Sequence, residues 1–255
     1  MTAAEKASTP AGGLRIVAEA AEGYAAKWDK ELALVEFAAR AGATAIKFQV
    51  LHDGELLTAN HPSSGFVREL ELPPDRWRAV ADLAAELEIE LLLDVFGRRG
   101  LEIAEDVGAA AVKVHGSDML NAALLTEIGA SSVAEVLLSA GGTSLQEVGD
   151  AIALLPGKRI TVVLGFQAYP TAVGDNRLRR LLAMREAFPE VALGFADHTG
   201  AEEAAAIWLP ALALALGATY VEKHITAAHV LADPDHQSAL APDRFAEFVE
   251  NMHLA

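Results

Sequence analysis

Cysteine is missing from the 255-residue chain. That excludes disulfides, thiolate nucleophiles and cysteine-held metals. Basic residues are scarce, with 20 Lys+Arg against 36 Asp+Glu and a formal charge of −16. The positive face that nucleic acid requires is therefore not expected, although a few lysines in one cleft can outweigh the global charge for a small anion. No long uninterrupted apolar run occurs. The most apolar stretch, 203–221, is rich in alanine and broken by Pro210 and Gly217, so it reads as a helix and not as a membrane span. No Gly-x-Gly-x-x-Gly fingerprint follows the first strand pattern, which speaks against a dinucleotide-binding open sheet. Residues 1–13 are small, polar and punctuated by Gly and Pro. They read as a flexible segment and not as a signal peptide, and a cytoplasmic location is the expectation.

What the chain does have is alternation. Short runs rich in Val, Ile and Leu lie at 14–19, 44–50, 89–96, 110–115, 134–140, 160–167, 191–196 and 218–223. Helix-like stretches fall near 27–41, 75–87, 98–107, 119–129, 144–155, 175–187, 201–216 and 242–252. Near-continuous apolar strands separated by helices mean a parallel sheet covered by helices. Eight such units in this length predict an α/β fold of the (β/α)8 TIM barrel type, one domain over 14–255. Pro73-Pro74-Asp75 opens one helix, with Trp77, Val80, Leu83, Ala84 and Leu87 at helical spacing. Gly42, Gly108, Gly129 and Gly217 follow helices where a C-cap needs positive φ. The longest insertion, 52–72, is expected to form a lid or a small hairpin.

Barrel chemistry gathers at the C-terminal ends of the strands, and each predicted strand ends on polar residues. Glu19, Lys47, Gln49, Asp94, Lys113, His115, Ser139, Gln167, Tyr169, Asp197, His198, Glu222 and His224 all fall at that rim. His198 and His224 end consecutive strands, about 5 Å apart in a closed barrel, and two imidazoles that near can share a divalent cation. Lys47 and Lys113 point inward, where an unpaired ammonium is costly. They are expected to pair with Glu19, Asp94 or Glu222 in the empty site, to await an anionic substrate, or both. His52, His61, His229 and His253 read as solvated surface, as does a helix face carrying Arg177, Arg179 and Arg180. Arg98-Arg99 reads as the exposed start of a helix.

Ala-Ile-Lys-Phe-Gln (45–49), Leu-Ser-Ala-Gly-Gly (138–142), Gln-Ala-Tyr-Pro-Thr (167–171), Asp-His-Thr (197–199), Val-Glu-Lys-His-Ile-Thr (221–226) and Asp235-His236-Gln237-Ser238 occur in that order. From about residue 14 to 250 this resembles the sialic acid synthase (N-acetylneuraminate synthase) family, whose barrel condenses phosphoenolpyruvate with an amino-sugar aldehyde to give a nonulosonic acid and phosphate. The resemblance implies that His198 and His224 hold Mn²⁺ or Mg²⁺. It implies that Lys47, Gln49 and Lys113 hold the donor, with Ser139 on its phosphate, and that Glu19 and Glu222 transfer protons. Tyr169, Asp118 and Asp235 would face the acceptor. A homodimer is implied by the same analogy.

The departures from the family pattern are specific. Ser-Thr-Pro-Phe-Asp becomes Leu93-Asp94-Val95-Phe96-Gly97, and Lys-Ile-Ala-Ser becomes Lys113-Val114-His115-Gly116. Ala196 replaces a serine, Gln167 an asparagine, and Gly23-Tyr24 an Asn-His pair. Asp94 would repel the donor carboxylate, while His115 is placed to act as a substitute anion donor. The family's C-terminal antifreeze-like domain has no counterpart in the sequence. An atypical acceptor is therefore expected. A related metal-assisted carbon–carbon lyase or transferase that does not use phosphoenolpyruvate, and a non-catalytic binding paralogue, are the alternatives.

Overall fold

The computed structural model describes residues 13–24, 30–58, 60–226 and 235–255. His229, most of the expected N-terminal segment and the start of the helix expected at 27–41 lie outside them. Eight parallel strands close into a barrel in sequence order. They are β1 (Arg15–Ala21), β2 (Ala45–Val50), β3 (Glu90–Val95), β4 (Ala111–Val114), β5 (Glu135–Ser139), β6 (Arg159–Leu164), β7 (Ala192–Asp197) and β8 (Tyr220–His224). The layer outside is formed by α1 (Lys30–Arg40), α2 (Asp53–Leu56), α3 (Ser64–Leu70), α4 (Pro74–Glu86), α5 (Arg98–Asp106), α6 (Ala122–Ala130), α7 (Leu145–Ala153), α8 (Arg180–Ala187), α9 (Ala205–Ala215) and α10 (Pro242–Leu254). The expected (β/α)8 barrel is the observed fold.

The strand period of two divides each strand between two cores. Val17, Ala45, Leu92, Ala111, Leu137, Val163, Ala196 and Tyr220 pack together inside the barrel. The alternate residues, among them Ile16, Ile46, Leu93, Val112, Leu138 and Val162, belong to the larger core against the helices. Two residues further along, toward the C-terminal mouth, the interior turns polar: Glu19, Lys47, Asp94, Lys113, Ser139 and Glu222, all buried. The ring of Tyr220 fits the inner layer because β7 has glycine opposite it; a Cβ on Gly194 would lie 2.8 Å from Tyr220 Cδ1.

Helix starts follow local chemistry. Ser144 and Glu147 form a reciprocal capping box at α7, Asn121 accepts from the Leu124 amide at α6, and α4 begins at Pro74 with Trp77, Val80 and Ala84 buried. Gly42, Gly108 and Gly217 take the expected positive φ. Gly129 does not: it sits within α6, and glycine is needed there because a Cβ would lie 2.5 Å from the Leu154 carbonyl oxygen. The 52–72 insertion is no hairpin but the two short helices α2 and α3, joined by an Arg68–Asp53 ion pair of 2.8 Å and by Asp53 N donating to Glu71 Oε1. Glu55 Oε1 accepts from the Arg99 amide, pinning the insertion to the start of α5. The helix expected over 175–187 is interrupted. A 3-10 turn, Val173–Asn176, ends at Arg177 in the left-handed region (φ 46°), and α8 starts only at Arg180.

Candidate active site

Five charged side chains form one buried network across the barrel mouth. Lys47 pairs with Glu19 and lies 3.4 Å from Asp94 and 3.6 Å from Glu222. Lys113 lies 2.9 Å from Glu222 and 3.7 Å from Asp94. The Tyr220 hydroxyl donates to the second Glu222 oxygen, and the Ala21 amide donates to Glu19 Oε1 at 2.6 Å. Asp94 Oδ1, by contrast, is buried with no hydrogen-bond partner.

Three carboxyls against two ammoniums leave one acid in surplus. Burial pushes Glu19 up, to about 8, against the pull of Lys47. Burial would also raise Glu222, but Lys113, Lys47 and the Tyr220 hydroxyl hold it well below the usual carboxylate range. Lys47 loses solvation, yet Glu19, Glu222 and Asp94 hold it well above its ordinary value. A proton kept at Glu19 leaves two acids facing the two ammoniums. Of the two expectations for the lysines, pairing with the acids is the one the structure shows.

Beside this network the two imidazoles face each other, ring centroids 5.3 Å apart. His198 Nδ1–H donates to the Phe166 carbonyl at 2.7 Å, which fixes the tautomer and leaves Nε2 as the lone-pair nitrogen. Its carbonyl is held by Ser238 Oγ at 2.8 Å. Burial lowers His198 to about 4, and burial with the neighbouring His198 holds His224 well below its ordinary value. Both rings are neutral at physiological pH, the state in which imidazole binds a metal. The strand end is anchored by a buried Lys223–Asp197 pair at 2.5 Å, with Lys223 also donating to the Thr199 carbonyl.

The cleft is lined by Glu19, Gln49, Asp94, Lys113, His115, Ser139, Gln167, Tyr169, His198, Glu222 and His224. Lys47 lies beneath them. Side chains nearly fill the hollow. Its cavity volume is about 10 Å³, enough for roughly one water. Tyr169 stands at its edge, 38% exposed, its ring 4.5 Å from His198 and 5.5 Å from His224. Asp235 stands beside the cleft, 3.9 Å from His224 Nδ1. Asp118 does not join it. Its carboxylate accepts from Ser117 and Asn121 in the turn before α6.

Other polar residues also depart from expectation. His52 Nε2 meets Arg99 Nη1 at 2.6 Å instead of lying free in solvent, whereas Arg98 and Arg99 are the exposed start of α5, as expected, with Arg98 paired to Glu102. Arg177, Arg179 and Arg180 share no helix face. Arg180 reaches back to donate to the Gly141 and Thr143 carbonyls at 3.0 Å each. Its role is set by carbonyls far away in sequence and leaves no local motif, whereas the Tyr220 hydroxyl donates to Glu222 two residues on.

Three relatives frame these observations. N,N'-diacetyllegionaminic acid synthase of Legionella pneumophila is 26% identical over 94% of this chain and 71% of its own length. The spore coat polysaccharide biosynthesis protein SpsE of Bacillus subtilis is 27% identical over 93% of this chain and 66% of its own, so the chain spans about two thirds of these relatives. A solved N-acetylneuraminic acid synthetase from Leptospira borgpetersenii, in complex with citrate, superposes with a TM-score of 0.88 over 95% of this chain and 84% of that one at 24% identity, a likeness of fold. Residues 34–255 match the NeuB family model. With that match running over most of its length, the chain belongs to the NeuB family.

Proposed function

We propose that the chain is a metal-dependent condensing aldolase of the sialic acid synthase type, joining phosphoenolpyruvate to an aldehyde-bearing, sugar-like acceptor of atypical kind and releasing phosphate. The juxtaposition that carries the reading is a pair of neutral imidazoles beside two buried lysines at the barrel mouth. His198 and His224 would offer two neutral imidazoles to a divalent ion, Mn²⁺ or Mg²⁺, with water or substrate oxygen completing its shell; among the described residues no cluster of three or more His, Asp or Glu is arranged to hold a metal. Such an ion, when bound, would polarise the acceptor aldehyde as a Lewis acid.

The remaining work belongs to the chain. Lys47, Lys113, Gln49 and Ser139 would seat the donor, with Gln167 and His115 in place of the family's missing donor-site groups. Tyr169 and Asp235 would face the acceptor. The methylene carbon of the donor attacks the aldehyde carbon, water adds to the carbon that bears the phosphate ester, and the bond from that carbon to the ester oxygen breaks to release phosphate. Glu19, holding a proton near neutrality, and ionised Glu222 are suited to opposite ends of that proton traffic. Incubation with phosphoenolpyruvate, Mn²⁺ and a panel of aldehydes tests the reading: phosphate is released in step with loss of one aldehyde, and EDTA abolishes release.

A second reading rests on Asp94. Its carboxylate occupies the lysine pair that a trianionic donor needs and keeps one buried oxygen unpartnered. That arrangement favours a less charged donor carrying a hydrogen-bond donor, in a metal-assisted lyase or transferase reaction. Absence of phosphate release with every aldehyde, alongside intact Mn²⁺ binding, selects this reading; absence of both selects a non-catalytic binding paralogue.

A further inference from the structure

His224 is the last residue of β8 and stays in register with Glu19 of β1. His198 has no such support, because the β7–β8 register ends one residue earlier, at the Asp197↔Lys223 pair. Strand alternation sends Glu222 and His224 into the barrel and Lys223 to the opposite face. There Lys223, Asp197 and Thr199 are fully buried. Lys223 Nζ donates to Asp197 Oδ2 at 2.5 Å and to the Thr199 carbonyl at 2.7 Å. The Thr199 hydroxyl in turn donates to Asp197 Oδ1 at 2.6 Å. One ammonium thus grips the residue on each side of His198, and it belongs to the residue before His224.

A second grip comes from the chain after β8. The His198 carbonyl accepts from Ser238 Oγ and the His224 carbonyl from the Leu240 amide, each at 2.8 Å. The main chain of both histidines is therefore held from two sides. Burial alone does not call for a charged pair here. Taking an ammonium and a carboxylate out of water is costly, and replacing such a pair by apolar side chains of similar volume is often neutral for stability. What the pair adds is direction, since charged donors and acceptors fix a geometry that methyl groups do not. Neither Lys223 nor Asp197 lines the cleft, so any effect on its chemistry runs through the imidazoles.

We infer that Lys223, Asp197 and Thr199 are a positioning network that sets the distance between the two imidazoles, and that this spacing fits them to one divalent ion. The link to the ion rests on the metal reading proposed above; the spacing does not. Two readouts on the whole protein separate them. In EDTA, NMR of histidine-labelled protein reports the nuclear Overhauser contact between the rings, whose centroids are 5.3 Å apart. Titration calorimetry with Mn²⁺ alone reports the metal. Lys223→Met/Asp197→Leu makes the pair apolar; it should melt within a few degrees of the parent, lose the ring contact and bind Mn²⁺ at least tenfold more weakly. Asp197→Asn breaks one arm of the network and should show both changes to a smaller degree, and it carries the test should the double variant not fold. Arg76→Met/Glu31→Leu, at the buried pair between α4 and α1, should alter neither readout. Changes of equal size there, or rings still in contact in both network variants, overturn the inference. Loss of the ring contact with Mn²⁺ affinity unchanged overturns the link to the metal. A parent that keeps its rings together yet takes up no Mn²⁺ overturns the metal reading and leaves the positioning network standing.

Discussion

Lys47 has no solvent to fall back on, so its ammonium depends entirely on Glu19, Asp94 and Glu222. The network has one acid too many, and this predicts an asymmetry. Lys47→Met strands buried carboxylates and should cost about 3–5 kcal/mol of stability. Asp94→Asn removes the surplus acid and lets Glu19 ionise beside Lys47, and should cost less than about 1 kcal/mol. Urea unfolding of the two variants checks this, and equal costs would refute the charge count. Glu22 supplies a pH test. Burial, with Asp235 adding repulsion, pushes its carboxyl up to about 7. A carboxyl raised in the folded state contributes stability below its unfolded pKa, and that contribution is lost as pH rises through the folded value. Glu22→Gln should therefore match the parent near pH 4.5 and exceed it by up to about 3 kcal/mol above pH 7, measured in EDTA. A constant difference across that range would show Glu22 to be ionised throughout.

At the scale of elements, strands were the more legible part. Lys47, Asp94, Lys113 and Glu222 stand out as polar interruptions of apolar runs, and the period of two sends each to the barrel interior. His198 and His224 were legible for the same reason. Legibility fails where the backbone leaves regular structure. Asp118 falls in a 3-10 turn that commits its carboxylate to Asn121, Arg177 breaks an otherwise helical pattern, and α2–α3 were too short to show a period. Gly129 met the rule for a helix C-cap, yet a close carbonyl, not φ, is what demands it. Two substitutions rank the supports of the elements. Ser144→Ala loses the reciprocal cap of α7 and should cost about 1 kcal/mol. Gly194→Val drives a side chain into Tyr220, 2.8 Å from the added Cβ, and should cost about 1–3 kcal/mol or more. Thermal melts of the pair order these effects, and a milder Gly194→Val would mean that Tyr220 has room to shift.

Over the whole molecule, the barrel concentrates its buried charge at one end, the C-terminal mouth, and fills its middle with Val17, Leu92, Leu137 and Tyr220. Toward the opposite, N-terminal end, Arg15 at the start of β1 ties β3 and β5 together through Glu90 and Glu135. Charge at that end staples strands, while charge at the mouth pairs within one buried network. The fold is shared with the solved N-acetylneuraminic acid synthetase, while Asp94 and Ala196 line the mouth itself. Crystals grown with Mn²⁺ and phosphoenolpyruvate, read by anomalous diffraction, test the central claim most directly. The account predicts a single manganese peak about 2 Å from a nitrogen of each of His198 and His224, with the donor on Lys47 and Lys113. No peak between the two rings, or a donor excluded by Asp94 with manganese in place, would contradict it.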